Sequence, residues 1–109
     1  MRQLTDKEVV FEKLDNLSGH LYQGFYSNGT IAIVAGDLGR IGKLSVNLVD
    51  AAHSLLPNEF FVRIDQNSST KYILSECLST GLFEIVGRPF DLGSAMPDVK
   101  FQRWKLKKE

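Results

Sequence analysis

LYQGFYSNGTIAIVAGDLGRIGKLSVNLVDAAHSLLPNEFFVRI, residues 21–64, decides the fold. It opens with an aromatic-rich run at 21–26, breaks at Ser27-Asn28-Gly29, and resumes as a nearly continuous apolar run at 30–35. Asn-Gly between two such runs is a hairpin signal: a type I′ turn puts both central residues at positive φ, which Asn and Gly tolerate best. A continuous apolar run of this length suits a strand covered on both faces. Gly36, Gly39 and Gly42 turn the chain again. From 42 to 48 the pattern alternates, with Leu44, Val46 and Leu48 on one face and Lys43, Ser45 and Asn47 on the other. Residues 50–58 form a connection with a helical turn at 51–55. Residues 59–65 then read as a strand, Phe60, Val62 and Ile64 pointing inward and Phe61 and Arg63 outward.

The flanking segments complete an α-β-β-β-β-α-β-β order. Residues 5–17 have helical spacing: Thr5 and Glu8 form a capping box, Leu4 and Val9 sit at staple positions, and Val10, Leu14 and Leu17 recur on one face. Gly19 stops that helix, so residues 1–20 are expected to be an N-terminal helical segment. Ser69 can cap a second helix that Gly81 ends. Residues 82–86 return to strand, 87–97 read as a Gly/Pro-punctuated loop, 99–106 as a last strand and 107–109 as a frayed tail. This order predicts an α+β fold: a mainly antiparallel sheet of five to six strands with two helices, in a single domain over residues 1–109.

Composition narrows the function classes. With 109 residues, one core is feasible without staples. Thirteen basic residues balance thirteen acidic ones, so nothing draws the whole chain toward nucleic acid or anionic lipid, and self-association into a homodimer stays open. Cys77 is the single cysteine, which fits a reducing compartment. The sequence begins without an apolar secretory region, and no apolar run approaches the ~18 residues of a membrane helix. The expectation is a cytoplasmic protein.

Catalytic constellations are not legible. His20, His53 and Cys77 have no ligand spacing among them, so neither a metal nor a cofactor is expected. Cys77 sits near the C-terminal end of an amphipathic helix, where a thiol pKa rises, and no Gly-x-Ser-x-Gly elbow occurs. The evenly spaced Gly36, Gly39 and Gly42 with Arg40 and Lys43 match no phosphate-loop fingerprint, because no helix follows. A small-molecule or anion site at that turn is the faintest reading. The last strand interleaves Lys100, Arg103, Lys105, Lys107 and Lys108 with Phe101, Trp104 and Leu106, which could serve a nucleic-acid platform or guard a sheet edge. Adjacent Phe60 and Phe61, and the large apolar residues Phe90 and Leu92 in a turn-rich segment, suggest a partner-binding patch. Aromatic residues and Arg dominate interface hot spots. The expected partner-binding set is therefore Phe61, Arg63, Arg88, Phe90, Arg103 and Trp104.

Four blocks in order, residues 25–33 (FYSNGTIAI), 43–48 (KLSVNL), 56–63 (LPNEFFVR) and 82–88 (LFEIVGR), resemble a family of small uncharacterised proteins from plasmids, conjugative elements and phages of bacteria. The resemblance spans residues 21–106 and leaves the N-terminal segment outside. It brings no catalytic residues. It implies the company of a mobile element, where small accessory proteins often act by binding, some of them blocking host defence systems such as CRISPR effectors. The resulting expectation is a non-enzymatic protein-binding module in a bacterial cytoplasm. The alternative is a nucleic-acid-binding accessory protein using the basic C-terminal strand.

Overall fold

Leu44 sets the architecture. The computed structural model describes residues 2–36, 39–64, 68–92 and 99–107. Within it the alternating stretch from 42 is two short strands, β6 (Gly42–Lys43) and β7 (Ser45–Val46), separated by Leu44 alone. β6 pairs with β5 (Ile31–Ala35), whereas β7 pairs with β8 (Glu59–Arg63). The chain thus passes from one sheet to another within five residues. Ser45 makes the crossing possible. Its Oγ accepts the Ile33 N–H at 2.9 Å and lies 2.9 Å from the Tyr26 hydroxyl, so a side chain takes over where the ladder ends.

The first sheet has the order β1-β4-β5-β6, with β1 at Arg2–Gln3 and β4 at Leu21–Phe25. The second has the order β7-β8-β10-β9, with β9 at Phe83–Ile85 and β10 at Phe101–Leu106. β2 (Val9–Phe11) and β3 (Leu17–Gly19) form a separate hairpin, and every named pairing is antiparallel. The fold is α+β and mainly antiparallel, as expected, but the single sheet of five to six strands is replaced by two four-stranded sheets and one two-stranded sheet. Its principal helices are the 12-residue α1 (Ser68–Ser79) and a 3-10 turn at Val49–Ser54.

The expected N-terminal helix is replaced by the β2–β3 hairpin, which keeps only a 3-10 turn at Glu12–Leu14. Val9, Val10 and Phe11 are β-branched or aromatic, and extended backbone suits them better than a helix. Asp15 and Asn16 both take φ of 57°, reversing the chain where a helix would continue. The Thr5 hydroxyl, expected to cap that helix, accepts the Leu21 N–H at 3.2 Å instead. The Asn28-Gly29 hairpin forms, but only Gly29 has positive φ, at 86°. The Gly29 N–H donates to Tyr26 O, and the Tyr26 N–H to Thr30 O. This is a three-residue loop closed by a glycine bulge rather than a type I′ turn.

One core joins these pieces. Phe11, Leu21, Ile33, Phe60, Val62, Cys77 and Trp104 are almost wholly buried within a single apolar cluster. α1 contributes Ile73, Leu74 and Cys77, and Gly81 ends it at φ 80°. Any capping role of Ser69 lies outside the described side chains. The Trp104 indole N–H donates to Gln102 Oε1 at 3.0 Å, so its burial leaves no orphan donor. The frayed tail is shorter than expected: the Lys107 N–H donates to Leu82 O, and residues 108 and 109 lie outside the described set.

Candidate functional site: a two-arginine cleft

β8 and β10 pair with Phe60 opposite Trp104 and Phe61 opposite Arg103. Strand alternation sends Phe60, Val62 and Trp104 to the core and Phe61, Arg63, Phe101 and Arg103 to the other face. Trp104, 2% exposed, is therefore a core residue and not part of a docking surface. The outward direction of Phe61 is as expected, yet Phe61 is only 3% exposed. Residues 87–92 cover it. Phe90 and Phe101 exchange backbone hydrogen bonds of 2.8 and 2.7 Å, which seats the Phe90 ring 5.6 Å from Phe61 and 6.0 Å from Phe101. Of the expected loop over 87–97, residues 87–92 are thus pinned to β10, and 93–98 lie outside the described residues.

A cleft of about 300 Å³ remains between this cover and the 3-10 turn. Ala51, Ser54, Phe61, Gly87, Arg88, Phe90 and Arg103 line it. Four of the six expected residues thus converge here: Phe61, Arg88, Phe90 and Arg103. Arg63 lies two residues along β8, opposite Phe101 rather than in the cleft. Sequence reasoning missed Ala51, Ser54, Gly87 and the nearby Glu59. Periodicity does not place Ala51, Ser54 and Gly87, which come from a connection and a loop, whereas Glu59 starts β8 on the face of Phe61 and its burial is what the sequence did not show.

Glu59 organises the cleft. Its side chain is buried, its Oε1 accepts the Leu56 N–H at 2.9 Å, and the same oxygen lies 3.6 Å from Arg103 Nε. That separation is an ion pair too long for a hydrogen bond. Arg103 Nε is buried with no hydrogen-bond partner, and Nη1 reaches Ser54 O only at 3.4 Å. Arg88 is exposed. The cleft therefore combines two guanidinium groups with apolar walls, an arrangement suited to an anion carrying an apolar neighbour.

The connection beside the cleft also carries two strongly exposed apolar residues, Val49 and Leu56. Leu56 (65% exposed) shares a shallow groove with Phe25 (68% exposed), and Val49 shares another with Leu92. The basic last strand looks different. β10 is interior to its sheet, not an edge, and its rings Phe101 and Trp104 are buried. Lys105 and Lys107 reach solvent without a ring on that strand for a base to stack on. At the glycine turn, Lys43 Nζ lies over the Tyr26 ring at 5.9 Å. The Cys77 thiol is pushed up to about 12 by burial and, less, by Glu76, which leaves it protonated near neutrality. Among the described residues no three His, Cys, Asp or Glu side chains gather as a metal requires, and no helix is long and apolar enough to cross a membrane.

No protein-family model, curated protein or solved structure matches the chain.

Proposed function

We propose that this chain is a non-enzymatic protein-binding module of a phage or other mobile element, acting by occluding a host protein, with a defence component such as a CRISPR effector as the class of target. The observation that carries the binding reading is the cleft, where Arg88, Phe90, Phe61 and Arg103 converge beside exposed apolar groups. An aromatic and Arg anchor inside a concavity, rimmed by apolar surface, is the usual make-up of an interface hot spot. The genomic company rests on the four sequence blocks at 25–33, 43–48, 56–63 and 82–88.

Arg88 is the discriminating position, because it is exposed and lines the cleft. Tagged wild type and Arg88→Glu are passed over nuclease-treated lysate of the bacterial host. The expected result is one stoichiometric protein held by the wild type and released by the variant, with melting temperatures alike. Equal retention by both proteins moves the contact away from the cleft; capture of no protein by the wild type, or recovery of nucleic acid alone when nuclease is omitted, overturns the proposal.

A further inference from the structure

We propose that the cleft between the 3-10 turn and residues 87–90 is a socket for a single carboxylate side chain, Asp or Glu, presented by the partner; the inference rests on the binding-module reading above. Charge is the first argument. Both polar side chains with fixed charge in the lining are guanidinium groups, Arg88 and Arg103. Arg103 already faces the buried Glu59 carboxylate, and among the described residues Arg88 has no acidic partner, so its positive charge is left over. A carboxylate carries the one negative charge that balances it, whereas a phosphate group near pH 7 brings about −1.5 to −2.

Unused donors are the second argument. A guanidinium has five N–H groups in a flat fork. In Arg103 the Nε is buried against Glu59 and the Nη1 contact to Ser54 O is long, so the guanidinium is held in place while its terminal Nη groups are not saturated. Such a fork donates bidentately to a carboxylate. The Phe61 and Phe90 rings exclude water from one side, which strengthens a charge-assisted bond. Size is the third argument. At about 300 Å³ the cleft is at the lower limit of small-molecule sites, and it suits an anchoring side chain better than a nucleotide. Val49 and Leu92, beside a groove that shares Ala51 with the cleft, would meet an apolar residue next to the acid.

The test is an NMR titration of the intact chain, read on the arginine Nε–H signals. The probes are acetyl-leucyl-glutamyl amide, its glutaminyl analogue and inorganic phosphate. The glutamyl probe should shift Arg88 and Arg103 saturably, with the glutaminyl probe at least about tenfold weaker. Arg88→Gln should weaken the glutamyl probe by a similar factor. Gly87→Val should block it while melting like the wild type, since a β-carbon at Gly87 approaches Arg103 Nη2 to 3.9 Å. Equal binding of the glutaminyl probe, equal shifts with phosphate, or no saturable shift overturns the socket. A partner retained undiminished by Arg88→Glu also overturns the socket and leaves the module reading intact. Saturable glutamyl binding with no protein captured instead removes the partner, and leaves the carboxylate chemistry of the cleft standing.

Discussion

Trp104→Ala should destabilise the domain by about 3–5 kcal/mol, since a large ring leaves a cavity in a core that cannot collapse fully. Phe61→Ala should also be strongly destabilising despite facing away from that core, because Phe90 and residues 87–92 seal it. Urea melts of both variants against Arg88→Glu, which should stay within ~0.5 kcal/mol of wild type, separate packing from recognition. Ser45→Ala should cost about 1–3 kcal/mol by stranding the Ile33 N–H. Cys77 adds a pH dependence. Its thiol titrates near 12 in the folded chain against an ordinary value of 9.0. The folded state therefore holds the proton more tightly, and its contribution is intact below pH 9 and lost as pH rises toward 12. Urea melts across that window should fall more steeply for wild type than for Cys77→Ala. At the residue scale the sequence already pointed to most of the cleft: aromatic and Arg side chains in turn-rich surroundings marked Phe61, Arg88, Phe90 and Arg103. It could not separate Trp104 from them, because strand alternation fixes which residues share a face and not which face is covered.

Turns and strand ends carry the next level. Gly36 has φ of 82°, and a β-carbon there would sit 3.1 Å from the Ile41 backbone nitrogen. Gly36→Ala should thus cost more than the ~1–2 kcal/mol of the left-handed conformation alone. Gly29→Ala, with φ of 86° but open space around it, should cost only about that much. Paired thermal melts would show the difference. Strands β4, β5, β8 and β10 were readable from alternation and apolar runs, and α1 from its spacing and its terminal glycine. The N-terminal hairpin was not. Val10, Leu14 and Leu17 satisfy helical spacing, while the features that decide otherwise, left-handed Asp15 and Asn16 and the Thr5 bond to Leu21, are local geometry and a contact sixteen residues away.

At the scale of the whole molecule, the crossing at Leu44 between β6 and β7 links the two sheets, and the single apolar cluster spans both. Thermal and denaturant unfolding should accordingly give one coincident transition by fluorescence and circular dichroism. The division into two sheets escaped the sequence, since residues 42–48 alternate as one strand and only tertiary pairing reveals the switch at Leu44. The position of β10 between β8 and β9 has a further consequence, during synthesis on the ribosome. Residues 101–106 are made last among the strands, yet they complete the middle of the second sheet. With translation at about 5–20 residues per second, β8 waits roughly 2–8 s for that neighbour, its Phe60 and Val62 uncovered meanwhile. The nascent chain should thus be prone to aggregation until residue 101 is reached, and a chain ending before that residue should aggregate rather than give a smaller folded product.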